Sequence, residues 1–346
     1  MYGVDRIQLA QLPTSLERAE RLTATWTESI GDCPDIWIKR DDLTGFGLSG
    51  NKVRKLEYHL AAAIDAGATT VVTCGAIQSN HCRAVALAAA RLGLHSVLYL
   101  RTTRGLAPET AAGNYLLMRL AGAECRFITP DRYDERDTLM AAAAEEIGSA
   151  WVIPEGASDA IGAMGFVTAA HELAQQVENW ETQFTIWHAA SSAGTTAGLV
   201  KGAVEAGLDA AIVGCSVGDP VDVVTARVEE ILRELTLLDP LRLADARHLP
   251  LRGRQTPLPG AGVFWSIVDD YVGGGYGVVS DEELALQTQV TRLTGLLFDP
   301  TYTGKAIYGL YREIAAGTYR GSDTVVFWHT GGGFAAFAYD WAPLLG

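Results

Sequence analysis

The chain has 346 residues, 48% of them hydrophobic, and a formal net charge of −14, so its length predicts two domains or lobes rather than one ordinary core. No apolar run approaches the roughly 18–20 residues that span a bilayer, and the acidic balance argues against a nucleic-acid or anionic-membrane partner. The N-terminal residues lack a basic region followed by an apolar stretch, so no secretory signal is expected.

The cysteines and histidines indicate the compartment and argue against a metal site. Five cysteines are scattered along the chain without CxxC spacing, and the seven histidines form neither an HxxxH nor an HxH pair. The sequence therefore predicts a reduced, cytoplasmic protein with free thiols and no bound metal.

In the first half of the chain, short β-rich apolar runs alternate with Ala-rich helical patterns. This alternation predicts right-handed βαβ units and a parallel sheet, and hence an α/β fold. The predicted strands are residues 36–39, 69–74, 95–100, 124–128 and 150–153, and the predicted helices are residues 52–66, 80–92, 109–121 and 134–147.

The same pattern restarts after a glycine-rich segment at residues 156–165. Residues 239–262 are rich in Pro, Gly and Arg and are predicted to form a loop with little regular structure. The predicted strands in this half are residues 184–189, 211–216 and 324–329, and the predicted helices are residues 167–179, 195–207, 220–237, 281–294 and 303–316.

Residues 49–57 place Lys52 between a glycine-rich turn and the start of an amphipathic helix. A lysine that is held rigidly and partly desolvated has a lowered pKa and can attack a carbonyl carbon, and the positive end of the helix dipole lowers the pKa further. The alternative is a solvated basic helix face with an acidic neighbour. That face would consist of Arg40, Lys52, Arg54, Lys55 and Glu57.

Residues 74–81 form a second motif, in which a predicted strand ends in a loop and a helix follows. Backbone N–H groups at a helix N-terminus suit a carboxylate or phosphate, and Ser79, Asn80 and His81 add side-chain donors. Alternatively, Ser79 or Asn80 simply caps the helix. A cap needs only one such residue, so the polar run favours an anion site, and together with Lys52 it indicates a pyridoxal phosphate enzyme.

A second glycine-rich loop, at residues 191–198, follows a predicted strand and precedes an apolar helix. Its small residues and hydroxyls favour a phosphate bound at the helix N-terminus. The loop is neither a GxGxxG motif nor a Walker loop, and a tight strand–helix turn without a ligand is an equally good interpretation.

Two loops near the C-terminus each present a tyrosine beside turn residues, Tyr276 within residues 271–277 and Tyr302 within residues 299–305. The last predicted strand ends in the glycine-rich residues 329–334. Loop tyrosines usually serve amphipathic packing, but these two could also position or protonate a substrate.

Together these motifs resemble the D-cysteine desulfhydrase / 1-aminocyclopropane-1-carboxylate (ACC) deaminase family, which belongs to the tryptophan-synthase-β-like pyridoxal phosphate enzymes of fold type II. The resemblance covers nearly the whole chain. It implies two α/β domains, each a mostly parallel twisted sheet flanked by helices: residues 1–50 and 165–346 as the larger cofactor-binding domain, and residues 51–164 as a smaller inserted domain. The resembling segments are residues 36–58, 74–83, 154–167, 192–198, 268–277, 299–306 and 327–332.

The resemblance also implies roles for individual residues. Lys52 matches the lysine that forms a Schiff base with pyridoxal 5'-phosphate, and Asn80 matches the residue that hydrogen-bonds the cofactor's phenolic oxygen. Ser79 matches the residue that contacts the substrate carboxylate near the reacting carbon, with Gln78 and His81 beside it. The phosphate cup would consist of Ser192, Ala193, Gly194 and Thr195, and the two active-site tyrosines would be Tyr276 and Tyr302.

The resemblance implies that Thr303 and Thr330 bind the cofactor, Thr303 at its ring nitrogen, and these two positions distinguish two activities within the family. Deaminases that open the ACC ring carry Glu and Leu at these positions, whereas the two threonines match the desulfhydrase pattern. A carboxylate beside the pyridine nitrogen keeps it protonated and makes the cofactor a strong electron sink, and a threonine hydroxyl cannot supply that charge. The resemblance therefore implies α,β-elimination with a readily departing thiolate, from D-cysteine to pyruvate, hydrogen sulfide and ammonia.

Two departures from the relatives bear on the substrate. Ala193 stands where Gly is more usual in the phosphate cup, and Gly333-Phe334 stands where Ala-Pro is common. L-cysteate sulfo-lyase, ACC deaminase and another small D-amino-acid lyase or deaminase are therefore alternatives, and a nucleotide-binding oxidoreductase or a non-catalytic ligand-binding protein is the alternative from a different class. A small amino acid is the expected partner, and the relatives suggest a homodimer.

Overall fold

The computed structural model describes residues 5–238, 246–249 and 262–341, and in these residues two β-sheets carry helices on their faces. The α/β class predicted from the alternating pattern is confirmed. No helix in the described part of the chain is long and apolar enough to cross a membrane.

The larger sheet contains strands from both ends of the chain. They are β1 (Leu16–Arg18), β2 (Asp35–Arg40), β7 (Phe184–Ala190), β8 (Ala210–Ser216), β9 (Ala246–His248), β10 (Val263–Val268) and β11 (Thr324–His329). Their order is β1-β2-β11-β7-β8-β10-β9, and all neighbours are parallel except β1 and β2. The interior strands are nearly continuous buried apolar runs, as expected when helices cover both faces of a parallel sheet.

The smaller sheet is formed by β3 (Thr70–Ala76), β4 (His95–Arg101), β5 (Glu124–Ile128) and β6 (Ala150–Val152). Its order is β5-β4-β3-β6, and every pair is parallel. The strands within residues 70–152 thus form one sheet and the remaining described strands form the other, while the domain boundaries themselves stay a prediction.

The helices cover both faces of both sheets and close four apolar clusters. The helices are α1 (Glu20–Ile30), α2 (Lys52–Asp65), α3 (Asn80–Leu92), α4 (Gly113–Leu120), α5 (Pro130–Tyr133), α6 (Arg136–Ile147), α7 (Ala160–Gln176), α8 (Gly194–Ala206), α9 (Val221–Leu238), α10 (Asp281–Thr294), α11 (Thr303–Ala315) and α12 (Gly333–Ala336), and short 3-10 turns lie at Asp41–Leu43 and Glu155–Ala157. On the larger sheet one cluster lies under α7, α8 and α9 and the other under α1, α10 and α11. On the smaller sheet one cluster lies under α2, α3 and α4 and the other under α6.

Glycines let α7 approach its neighbours almost backbone to backbone. A Cβ placed on Gly165 would lie 2.3 Å from the Arg54 carbonyl oxygen, and one on Gly198 would lie 2.3 Å from the Ala163 carbonyl oxygen. Any side chain at these positions would force the helices apart. This close packing holds the first residues of α2 and α8, which carry predicted site residues, next to each other.

The structure corrects several element predictions. Helix α7 begins at Ala160 rather than at residue 167, because its glycines serve close packing and the Asp159 side chain caps its start by accepting from the Gly162 N–H. Helix α4 begins at Gly113 rather than at residue 109. Helix α1 and strands β1 and β10 were not predicted, and β9 lies within the predicted loop 239–262, of which residues 239–245 and 250–261 lie outside the described residues.

Candidate active site

A cleft opens where the carboxyl ends of β3, β7 and β11 face the first residues of α2, α3 and α8. Residues from both sheets line it, including Ala76 at the end of β3 and Ala189 and Ala190 at the end of β7. Most of the predicted site residues meet there. Those that line the cleft are Lys52, Ser79, Asn80, His81, Ser192, Ala193, Thr195, Tyr276, Tyr302 and Thr330.

Lys52 is the first residue of α2 and faces this cleft. The turn before it is held against the end of β11: the Asn51 N–H donates to the Thr330 carbonyl oxygen at 3.1 Å, and Gly50 has a φ of +108°. A Cβ on Gly50 would lie 2.8 Å from that same carbonyl oxygen, so only glycine fits this approach. Burial lowers the pKa of the Lys52 amine to about 8, against the opposing charge of Glu155. The backbone at Lys52 is thus fixed in place, and its amine loses its proton more readily than an ordinary lysine.

The alternative of a solvated basic helix face is wrong, because its members lie inside the protein. Arg54 is 1% exposed and Lys55 0% exposed. The Arg54 guanidinium donates to Asp41 Oδ1 at 2.8 Å and Oδ2 at 2.9 Å and also pairs with Glu172. Glu57 Oε1 accepts from the backbone N–H groups of residues 9 and 10, each at 2.8 Å.

At the start of α3, Ser79 both caps the helix and lines the cleft. Its Oγ accepts from the Cys82 N–H at 3.1 Å, so the two interpretations of this residue are compatible. His81 Nε2 lies 2.8 Å from Thr73 Oγ1, and its Nδ1 has no hydrogen-bond partner among the described residues. Burial and the nearby charges of Lys52 and Lys55 hold the pKa of His81 well below its usual range, so its ring is neutral.

Gln78 does not reach the cleft. Its Nε2 donates to the Ala112 carbonyl oxygen at 3.1 Å, and its Oε1 accepts from the Asn114 N–H at 2.9 Å. Because both ends of the amide are used to hold the start of α4, the predicted contact of its side chain with substrate has no support in this geometry.

The loop before α8 forms a concave, uncapped helix start. Ala193 has a φ of +68°, unusual for a residue other than glycine, and provides no side-chain cap. Ser192 Oγ and Ser158 Oγ lie 2.7 Å apart. Gly194 does not line the cleft, but a Cβ there would lie 2.8 Å from both Lys55 Nζ and Ser158 Oγ. The small residues therefore keep open a cradle at a helix N-terminus, where anions bind favourably.

Lys55 lies below this loop and was missed as a site residue. Its Nζ donates to Ser158 Oγ at 3.0 Å and to the Gly156 carbonyl oxygen at 3.3 Å. Burial and the charge of Lys52 hold the pKa of Lys55 well below its usual range. Its spacing of three residues from Lys52 on the same helix was the only indication in the sequence.

Tyr276 and Tyr302 form a hydroxyl pair, with their oxygens 2.6 Å apart. Burial raises the pKa of both phenols, so both stay protonated. Lys305, whose Nζ donates to the carbonyl oxygens of Val272 and Gly275, holds the glycine loop that carries Tyr276 onto α11. The pair can therefore supply a proton or a hydrogen bond to a group in the cleft.

The two threonines that distinguish activities within the family lie in different places. Thr330 follows β11 and lines the cleft. Thr303 is fully buried outside it: its Oγ1 accepts from the Asp299 N–H at 2.9 Å and donates to the Gly331 carbonyl oxygen at 3.4 Å. The predicted contact of Thr303 with a ring nitrogen therefore has no support in this geometry, because Thr303 lies outside the cleft and its hydroxyl holds the start of α11.

Asp299 and Asn114 are further residues that sequence reasoning did not identify. Asp299 is 1% exposed, and its Oδ2 accepts from Asn80 Nδ2 at 2.6 Å. Asn114 Nδ2 donates to Asn80 Oδ1 at 2.7 Å. Asp299 precedes a proline in an apparent turn, and Asn114 lies within the helix predicted at residues 109–121, so neither position suggested a contact with Asn80.

Comparisons with known proteins agree with this geometry. Residues 7–331 match the sequence model of the family described as "Pyridoxal-phosphate dependent enzyme". A crystal structure described as that of an ACC deaminase homologue is 32% identical in sequence, with a TM-score of 0.78, covering 97% of this chain and 94% of that chain.

Two more distant structures share the fold. An L-serine ammonia-lyase from the fungus Rhizomucor miehei is 16% identical with a TM-score of 0.60, covering 94% of this chain and 95% of that chain. An O-ureido-L-serine synthase is 14% identical with a TM-score of 0.60, covering 93% of this chain and 90% of that chain. At these identities the likeness concerns the fold alone.

Proposed function

The chain belongs to the pyridoxal-phosphate dependent enzymes, and from this premise we propose that it is a lyase that converts D-cysteine and water to pyruvate, hydrogen sulfide and ammonia. The observation that carries the proposal is the cleft itself, which gathers the amine of Lys52, the uncapped start of α8 and the hydroxyl of Thr330. The similarity to an ACC deaminase homologue supports the same reaction class.

The residues of the cleft fit the cofactor. No hydrogen-bond or ion-pair partner of the Lys52 amine occurs among the described residues, which leaves it free to bond the cofactor's aldehyde carbon. At the start of α8 the N–H groups of Thr195 and Thr196 donate to no group in the described part of the chain and so suit a phosphate, and Lys55 lies nearby. Asn80 is placed to donate to the phenolic oxygen, and Thr330 to accept or donate at the ring nitrogen.

Bound pyridoxal phosphate supplies an electron sink for the negative charge that develops at the substrate's Cα. Around it the start of α3, with Ser79, offers donors for the substrate carboxylate. Lys52 Nζ, with its pKa lowered to about 8 by burial, is the base that accepts the α-proton. The tyrosines are poor bases because burial raises the pKa of each phenol. Their hydroxyl pair instead donates a hydrogen bond to the departing sulfur, which leaves as the thiolate when the C–S bond breaks.

Our inference that the leaving group is a thiolate depends on the absence of a carboxylate beside the cofactor's ring nitrogen. With Thr303 committed to holding α11, this argument rests on Thr330, whose neutral hydroxyl cannot keep the nitrogen protonated. A weaker electron sink suffices when the leaving group departs readily. We therefore favour D-cysteine over ACC, whose ring carbon is a poor leaving group.

An assay of pyruvate, sulfide, sulfite and α-ketobutyrate over D-cysteine, L-cysteine, L-cysteate and ACC tests the proposal. We expect pyruvate and sulfide in equal amounts from D-cysteine. Sulfite from L-cysteate would instead identify a sulfo-lyase, and α-ketobutyrate from ACC a deaminase. Failure to release any of these products from any of the four substrates would contradict the proposed lyase activity.

The Lys52→Ala variant is the control for that assay. It should lose the visible absorbance of lysine-bound cofactor and the elimination activity together, because the base and the covalent attachment are the same amine. If Lys52→Ala still catalysed the elimination, a group other than Lys52 would have to be the base. The homodimer and the cytoplasmic location implied by the resemblance stay predictions.

A further inference from the structure

A row of buried hydrogen bonds runs from α3 and α4 to the loop before α11. Arg83 Nε donates to Asn114 Oδ1 at 3.1 Å, Asn114 Nδ2 donates to Asn80 Oδ1 at 2.7 Å, and Asn80 Nδ2 donates to Asp299 Oδ2 at 2.6 Å. Arg83, Asn114 and Asp299 are each at most 1% exposed. Of these four residues, Asn80 alone lines the cleft.

The direction of every bond in this row is determined by its ends. A guanidinium can only donate, so the atom of Asn114 that faces Arg83 is its oxygen. The Asn114 nitrogen also donates to the Gln78 carbonyl oxygen at 2.9 Å, and a carbonyl can only accept. Asn80 must therefore turn its oxygen to Asn114 and its nitrogen to Asp299. The opposite rotamer would place N–H against N–H and oxygen against a carboxylate.

We propose that Asn114 and Asp299 are positioning residues, which hold the amide of Asn80 so that an N–H, and never the oxygen, faces the phenolic oxygen of the cofactor. One Nδ2 hydrogen is bound by Asp299, and the second remains for the cleft. A donor at this place stabilises the ionised phenolic oxygen, whereas a carbonyl oxygen would repel it. The inference rests on cofactor binding in the proposed site, and it does not depend on which amino acid is the substrate.

Contacts on several sides fix the position of the Asp299 carboxylate. Its Oδ1 accepts from the Tyr302 N–H at 2.5 Å. A Cβ on Gly332 would lie 2.3 Å from its Oδ2, so only glycine leaves room for the carboxylate. Asn80 and Asp299 are 219 residues apart in sequence, and their contact joins the start of α3 to the start of α11.

Asp299 also gives the arrangement a pH dependence. Burial raises its pKa to about 7, although the N–H donors and the positive charge of Arg83 oppose that shift. The titratable groups that face it from the neighbouring segments are Arg83, Tyr276, Tyr302 and Tyr339. The ionised carboxylate, which accepts at both oxygens, predominates only above this pKa. Asn80 should therefore be held less tightly, by Asn114 alone, as the pH falls through about 7.

Two substitutions of Asn114 distinguish its role in orienting the Asn80 amide from its role in packing. Asn114→Ala removes one of the two constraints, so that Asp299 alone favours the native rotamer of Asn80. Asn114→Asp keeps the shape and gains an ion pair with Arg83, but it presents an acceptor to Asn80 Oδ1 and so favours the reversed amide. We expect the holoenzyme of Asn114→Asp to lose cofactor at least about tenfold more readily than wild type in equilibrium dialysis, with Asn114→Ala between the two.

The visible spectrum of the same holoenzymes supplies the second readout. The pH midpoint of the cofactor's absorbance change should rise in Asn114→Asp, because the phenolic oxygen loses its donor. Asn179→Asp, the same chemical change at an exposed position, is the matched control and should keep both wild-type values. Asp299→Asn, which offers one acceptor in place of two, should abolish the spectral transition near neutral pH.

The inference is overturned if Asn114→Asp and Asn114→Ala shift the spectrum and the cofactor affinity equally, since loss of packing alone would then explain both. It is also overturned if neither variant differs from wild type. A wild-type protein with the cofactor spectrum but no elimination activity would contradict the proposed function and leave this inference standing.

Discussion

Two strand–loop–helix turns face the cleft, and they begin their helices in different ways. Helix α3 starts after Ser79, whose Oγ accepts from the Cys82 N–H at 3.1 Å. Helix α8 starts after Ala193, which has a φ of +68° and no side-chain cap. The first N–H groups of a helix have no intrahelical partner. In α3 the Ser79 side chain satisfies one of them, whereas in α8 the Thr195 and Thr196 N–H groups donate to no group among the described residues and suit a ligand. The uncapped, strained start is therefore the better marker of a phosphate site.

Filling the α8 turn should have the largest effect. A Cβ on Gly194 would collide with Lys55 Nζ and Ser158 Oγ, each 2.8 Å away, so Gly194→Val should weaken cofactor binding by about a hundredfold or more. Equilibrium dialysis of the holoenzyme measures this. Ala206→Val, at the opposite end of α8, should bind cofactor normally, and unchanged binding in Gly194→Val would mean that the phosphate lies elsewhere.

Removal of the amine near the α8 turn should have the next largest effect. A bound phosphate would favour the charged form of Lys55, so Lys55→Met should remove a charge-assisted interaction of about 1.5–3 kcal/mol, which corresponds to a loss of affinity of about tenfold to a hundredfold. The loss should be measured by competition of inorganic phosphate with the cofactor as well as by dialysis. Equal phosphate affinity in Lys55→Met and wild type would separate Lys55 from the anion site.

A substitution in the capped turn before α3 should lower the stability of the protein rather than its affinity for phosphate. Ser79→Ala removes the side-chain acceptor at the start of α3 and should lower the free energy of unfolding by about 1 kcal/mol. Urea denaturation measures this change, and inorganic phosphate affinity should stay within about twofold of wild type. A loss of phosphate affinity as large as that of Gly194→Val would show that the two turns do not differ in the proposed way.

The smallest effect is expected at the strained residue itself. Ala193→Gly relieves a left-handed conformation that costs roughly 1 kcal/mol, and the greater freedom of glycine in the unfolded chain offsets part of the gain. The free energy of unfolding should therefore rise by about 0.5 kcal/mol. A decrease on urea denaturation would mean that the alanine methyl group contributes packing worth more than the strain.

Local pattern was enough to predict the strands and helices that meet at the cleft, and with the resemblance it identified most of the residues that line it. Strand β10 lacked any alternation to distinguish it, and α7 was shortened because glycines that serve helix packing look like loop residues. The resemblance assigned Gln78 and Thr303 to the site. In the structure the Gln78 amide binds Ala112 and Asn114, and the Thr303 hydroxyl holds the start of α11, so neither side chain lines the cleft.

The sequence by itself determined the α/β class, the lysine at a helix start and the two turns that follow parallel strands, since each depends on neighbours within a few residues. Only the tertiary structure decided that Lys55 lies under the phosphate turn, that Thr330 rather than Thr303 faces the cleft, and that Asn80 is held between Asn114 and Asp299. These contacts join distant parts of the chain. The physical reason is that burial and donor–acceptor pairing belong to the packed molecule, and no local pattern records which remote group will complete a hydrogen bond.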